Sequence, residues 1–129
     1  MNYTVADFII QIKNAYMGNR KTVTAPYSNI TKAIGQLLVK KQLLSEVKEE
    51  TIDGKRILIA SLRYVRRRPA FTQVEVISKP SLRVHIDVQT LPTVLRDDAL
   101  AVVSTSQGVM SGTEAHKKHI GGELLFKIR

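Results

Sequence analysis

Cysteine is absent from all 129 positions of the chain. That excludes disulfide staples and cysteine-ligated zinc or iron–sulfur centres. Long apolar runs are missing too, and the longest unbroken ones fall far short of the roughly 20 residues that span a bilayer. The opening stretch, MNYTVADFIIQIKN, has no basic segment ahead of its apolar positions, and those positions keep a helical period, so it does not read as a signal peptide. A soluble, cytoplasmic protein with no membrane partner is expected. Neither G-x-x-x-x-G-K-[ST] nor G-x-G-x-x-G occurs, so no nucleotide cofactor is indicated. Acidic residues are few: eleven Asp and Glu stand against twenty Lys and Arg, a formal net charge of +9. A small protein with that field attracts polyanions, RNA or DNA first among them.

Hydrophobic residues make up 43% of the chain, enough for a core in one domain or two small packed ones. Val5, Phe8, Ile9, Ile12 and Tyr16 share one helical face, with Thr4 and Asp7 as a capping pair and Gly18 as the stop. KTVTAPYS (Lys21–Ser28) reads as a short strand ended by Pro26. Ser28 then caps a second helix whose buried stripe is Ile30, Ala33, Ile34, Leu37 and Leu38, with Lys32, Lys40 and Lys41 off it. Asp53-Gly54 supplies a positive-φ turn between two strand-like runs, the second of which is central or covered on both faces.

Arg63, Arg66, Arg67 and Arg68 then precede Pro69, and neither period continues. This arginine run is either a solvated connector or a direct phosphate contact; the residues leave both open. A boundary is expected here, between an α/β first part (1–67) and a mostly β second part (68–129). In the second part, Leu82, Val84, Ile86 and Val88 alternate with Arg83, His85, Asp87 and Gln89, the pattern of a half-buried strand. Thr90 and Pro92 open a short helix, LAVVSTS is a strand, and Ser111 with Glu114 forms a capping box for another short helix stopped by Gly121 or Gly122. Leu124, Phe126 and Ile128 share a face of the last strand.

Ser104-Thr105-Ser106 ends an otherwise apolar strand and is followed by Gly108. Hydroxyls donate and accept, so they can bond a phosphate oxygen, a ribose 2′-OH or a base edge, and glycine lets a backbone approach. The bland alternative is a polar turn with local hydroxyl–backbone bonds. Glu123 can accept from base amino groups or simply open a strand. Enzyme readings are poor. No glycine stands two residues before these serines, as a G-x-S-x-G elbow requires, and Glu114, His116 and His119 lack H-E-x-x-H spacing, so neither a hydrolase nor a metal site is supported.

AVVSTSQGVM followed by IGGELLFKI closely resembles the C-terminal signature of small-subunit ribosomal protein eight, bacterial type. DFIIQIKNAY is similar to that family's first helix, with its basic-Asn pair at Lys13-Asn14. VTAPYS resembles its V-x-x-P-x-S strand, and SKPSLRVH its S-[KR]-P-G-x-R-x-Y segment. The resemblance implies an α+β protein of two small packed domains, N-terminal α/β and C-terminal mostly β with short helices. It implies a primary ribosomal RNA-binding protein without enzymatic activity or cofactor. Such a protein binds the central domain of small-subunit RNA beside neighbouring ribosomal proteins and aids assembly. It is a monomer outside the ribosome, which is cytoplasmic or an organelle's own. Some members also repress their own operon's messenger RNA.

By the same resemblance the RNA-binding residues are Ser104, Thr105, Ser106, Gln107, Gly108, Gly122 and Glu123. Lys79, Ser81, Arg83 and His85 precede them, and Lys13, Asn14, Ser28 and Lys32 lie in the first part. Gln107 stands where Lys is usual, Ser81 for Gly, and His85 for Tyr, so one cationic contact is gone and an imidazole replaces a phenol as the stacking group. Asn29 and Thr31 occupy positions that are commonly basic.

Overall fold

The computed structural model describes residues 4–79, 81–95 and 99–129, and for Thr4 the backbone only. The fold is α+β, and the chain divides into two compact units: Asp7–Thr72, and Gln73–Arg129 counted together with the residues up to Ala6.

Helix α1 (Thr4–Met17), which belongs to the first unit from Asp7 onward, buries the expected face: Phe8, Ile9, Ile12 and Tyr16 are inaccessible or nearly so, as is Val5 at its start. The Thr4 half of the capping pair lies outside the described side chains. The stop is Asn19 rather than Gly18. Asn19 takes φ 55°, and the Arg20 N–H bonds the Ala15 carbonyl at 2.9 Å, closing a Schellman cap. Strand β1 (Thr22–Pro26) leads to α2 (Asn29–Lys40), capped reciprocally by Ser28 and Thr31. Its buried stripe is Thr31, Ile34, Gly35, Leu37 and Leu38; Ile30 and Ala33 are only half-buried. Gly35 replaces Ala33 at the interface because α2 lies so close to the sheet that a Cβ there would sit 2.9 Å from a Val47 methyl.

Strands β2 (Leu44–Ile52) and β3 (Lys55–Leu62) meet at the Asp53-Gly54 turn, and β3 is central in the antiparallel order β1-β3-β2. The arginine run folds into a hairpin of its own, β4 (Tyr64–Val65) with β5 (Arg68–Pro69). Phe71 and Tyr64 pack edge-on against Tyr16, with ring centroids 5.0 and 5.5 Å away. The Tyr16 hydroxyl donates to the Leu43 carbonyl and accepts the Arg63 N–H at 3.0 Å. These contacts carry the first unit through residue 72, five positions past the boundary read from the arginines.

The second unit holds β6 (Val74–Val76), β7 (His85–Ile86), α3 (Leu91–Val94), β8 (Leu100–Thr105), β9 (Gly108–Ser111), α4 (Gly112–Lys117) and β10 (Gly122–Ile128). The sheet order is β6-β10-β8-β9, with β7 pairing the start of β10. Leu91, Ala101, Val103, Met110, Ala115 and Leu124 form its core cluster.

Several expectations change here. The alternating run at Leu82–Val88 pairs over two residues only, and Leu82 is 67% exposed. The Lys79–Leu82 bridge turns the chain sharply before the strand can extend. Strand β9 was not anticipated. The Thr90 hydroxyl caps nothing, donating instead to Asp87 Oδ1 at 2.7 Å. Ser111 accepts the Glu114 N–H at 3.2 Å, but the Glu114 carboxylate turns to Lys118 at 3.7 Å. His119, at φ 56°, ends α4 in place of either glycine. A bulge between Leu124 and Phe126 puts Leu124 opposite Val103 but Phe126 opposite Val102, so those two side chains leave the sheet on opposite faces.

Candidate nucleic-acid interface

The opening of β10 lies between β8 and β7, and pairing fixes what meets there. Glu123 is opposite Ser104 on one side and His85 on the other, and Ser104 is opposite Val109 of β9. Val109, Ser104, Glu123 and His85 therefore form one row across four strands. Their neighbours Met110, Val103 and Leu124 point into the core, so the row points to the other face. Arg83 Nη1 lies 3.4 Å from one Glu123 carboxylate oxygen and 3.5 Å from the other. The Glu123 side chain keeps 16% of its exposure and the Arg83 side chain 39%. The acid is thus a shielded, oriented acceptor beside a more open cation.

Gly121 and Gly122 make this row possible. A Cβ on Gly121 would lie 2.5 Å from the Ile86 carbonyl oxygen, and one on Gly122 would come closer than 3.0 Å to the Ser104 carbonyl oxygen. Both glycines serve close backbone approach on either side of β10, which is why they stand before Glu123.

The three hydroxyls have three different fates. Ser104 is half-buried in the row. Thr105 Oγ1 donates to the Gly108 carbonyl at 2.8 Å and accepts the Gln107 N–H at 3.1 Å, so it holds the turn. Ser106 and Gln107 are the exposed two-residue tip between β8 and β9, closed by Gly108 at φ 110°.

Lys79 and Ser81 are exposed around the Lys79–Leu82 turn; Pro80 lies outside the described residues. Ser78, the first residue of the SKPSLRVH segment and given no role by the sequence, anchors this segment. It is fully buried, donates to the Leu124 carbonyl at 2.6 Å and accepts the Val84 N–H at 3.0 Å. A lone serine before Lys-Pro carries no periodic signal, so only the register reveals it.

Lys13, Asn14, Ser28 and Lys32 all belong to the other unit. Asn14 is exposed and lines a polar groove with Gln11, Arg20, Thr22 and Thr24; Lys13 is half-buried. The Ser28 hydroxyl is occupied in capping, accepting the Thr31 N–H at 3.1 Å. Lys32 pairs with Glu49 at 3.3 Å. A hydrogen bond from Arg56, then one from Lys32, hold the Glu49 carboxyl below its usual range. The Arg56 guanidinium also stacks over the Tyr27 ring at 3.8 Å.

The family described as "Ribosomal protein S8" matches residues 3–128. Small ribosomal subunit protein uS8 of Trichormus variabilis is 36% identical over 129 residues, covering 98% of this chain and 97% of its own. The uS8 of Thermosynechococcus vestitus is 37% identical over 130 residues, with 99% and 98% coverage. The uS8c of Staurastrum punctulatum is 38% identical over 129 residues, with 98% of each chain covered.

Proposed function

The chain belongs to the ribosomal protein S8 family, and from that premise we propose that it is a constituent of the small ribosomal subunit, binding the central domain of small-subunit RNA and aiding its assembly. It is a ribosomal protein and not an enzyme, so the loop serines are ligand groups rather than nucleophiles. The main contacts fall to the β-rich C-terminal part, residues 68–129.

The observation that carries this reading is the row of Ser104, Glu123 and His85, with Ser106 at the adjacent tip. Lysines and arginines supply sequence-blind affinity. With about six phosphates engaged, log K falls with log salt at a slope near −4 to −5. A regular A-form groove offers little to a narrow neutral edge; a distorted helix presents base edges and 2′-hydroxyls that a hydroxyl and an oriented carboxylate can read. Glu123, held by Arg83, accepts from a base amino group; Ser104 and Ser106 bond sugar or phosphate. Lys79, Ser81, Arg83 and His85 extend that contact, and Lys13 and Asn14 add a second from the other unit.

Filter binding to a central-domain transcript tests the proposal. Ser106→Ala combined with Glu123→Ala is expected to lower affinity at least tenfold with the salt slope nearly unchanged; unaltered affinity removes this edge from recognition. Co-sedimentation with small subunits on a sucrose gradient tests the ribosomal assignment. A chain serving only as a messenger-RNA repressor would stay at the top.

A further inference from the structure

The arginine hairpin does more than connect. Arg63, Arg66 and Arg68 line a groove of about 850 Å³ together with Lys41 from the end of α2. Among the described residues, no acidic side chain lines it. Several cations elsewhere do find carboxylates: Lys32 and Arg56 share Glu49, Arg83 takes Glu123, and Lys118 takes Glu114. Among the described residues, none of the four groove cations has such a partner. Four cations gathered around one concavity repel each other, and the fold gives no internal reason to collect them.

The backbone adds an independent observation. Arg66 and Arg67 form the hairpin's two-residue turn at φ 54° and 66°. That geometry favours Asn-Gly or Asp-Gly, and the other hairpin of this unit uses Asp53-Gly54 for it. Two arginines tolerate the left-handed region poorly, so this turn keeps charge at the expense of conformation.

We propose that this groove is a further anion site, holding the phosphate backbone of RNA in addition to the contacts proposed above. The inference rests on the ribosomal-RNA reading above. Guanidinium forks match phosphate oxygens bidentately, and three of the four cations are arginines. A protein partner would need a large buried apolar anchor. Among the described residues, the groove offers only Val65, Pro69 and Ala70 for one.

The test uses the full chain and a small-subunit RNA transcript, bound across a salt series. Arg66→Asn with Arg67→Gly removes one groove cation and the turn charge beside it while giving the turn its preferred residues; Lys41→Gln removes a second groove cation without touching the turn. Losing the Arg66 phosphate contact makes the log–log salt slope shallower by about 0.7–0.9 and weakens binding roughly five- to eightfold at 0.1 M salt. Lys41→Gln is expected to give a similar slope change. Wild-type slope and affinity in both variants overturn the inference, as does loss of binding to an acidic peptide such as polyglutamate with RNA binding intact. Failure here is distinct from failure of the ribosomal reading, in which the unaltered chain itself would show no preference for the transcript.

Discussion

Gly122→Ala is the sharpest single change to this fold. The new methyl would lie under 3.0 Å from the Ser104 carbonyl oxygen, 3.0 Å from its carbonyl carbon and 3.1 Å from a Val103 methyl. The first two atoms are backbone in a paired strand, so no rotamer change relieves the clash. Restoring ordinary contact requires β8 and β10 to part locally by about 1 Å, against a dispersion minimum at ~3.5–4.0 Å. Overpacking of this kind costs about 1–3 kcal/mol of stability. The displacement falls one residue from the Glu123–Ser104 pair, so the carboxylate loses its alignment as well. Losing one hydrogen bond from a charged acceptor amounts to about 1.5–3 kcal/mol, or roughly 10- to 150-fold in affinity. Urea unfolding reports the first effect as a lower midpoint with unchanged m-value; filter binding to the RNA transcript reports the second. A variant with wild-type midpoint and affinity refutes the close-approach account. One that is destabilised yet binds normally refutes the recognition role.

The other perturbations separate fold from function. Ser78→Ala leaves the Leu124 carbonyl and the Val84 N–H without their hydroxyl partner. It is expected to cost about 2–4 kcal/mol in urea unfolding, at about 1–3 kcal/mol per unpaired buried group. Arg66→Asn with Arg67→Gly is expected to raise stability by about 1 kcal/mol or more, since left-handed geometry costs about 1–2 kcal/mol per ordinary residue; its RNA affinity moves the opposite way. The Asp87 carboxyl is held below its ordinary 3.8 by hydrogen bonds from the Thr90 hydroxyl and then the Thr90 N–H. Its folded pKa is depressed, so its contribution is present above the unfolded value and is lost as pH falls through the folded one. The urea-midpoint gap between wild type and Asp87→Ala should therefore hold at neutral pH and close on acidification below about 4; a gap unchanged by acid would show that the carboxylate adds nothing to folding.

The features legible in the sequence were those encoded by neighbours along the chain. The α1 face, the Ser28 cap and the Asp53-Gly54 turn each declare themselves within a few residues, through spacing or backbone preference. Features set by a partner strand stayed hidden. The Leu82–Val88 alternation looked like the cleanest strand, yet the Lys79–Leu82 turn breaks it and only His85 and Ile86 find β10. The Leu124–Phe126 bulge is a mismatch of register with β8, so alternation along β10 alone assigns those two side chains to one face incorrectly. Turns and caps made by unfavoured residues were missed for a related reason. Arg66-Arg67 and Gln42 adopt left-handed conformations that their own propensities oppose, and Asn19 and His119 take the helix stops that the nearby glycines suggested. Of the site, the hydroxyl triplet and the Gly-Gly-Glu motif were visible as residues, but the row joining them was not, nor was the anchor at Ser78.

That row also explains why recognition and stability are hard to separate at Gly122. The carboxylate is useful only where β10 runs close enough to β8 for Glu123 to stand beside Ser104, and that closeness excludes a side chain at the preceding position. The same register that aims Glu123 and His85 outward sends Leu124 into the core cluster and packs Ile86 against it. Sliding β10 by one residue would expose the leucine and bury the acid beside it, a double cost that locks the binding edge to the packing. The arginine hairpin has no such lock. Its turn can change without repacking any strand, so its charge is free to vary while the Glu123 edge is held fixed by the fold.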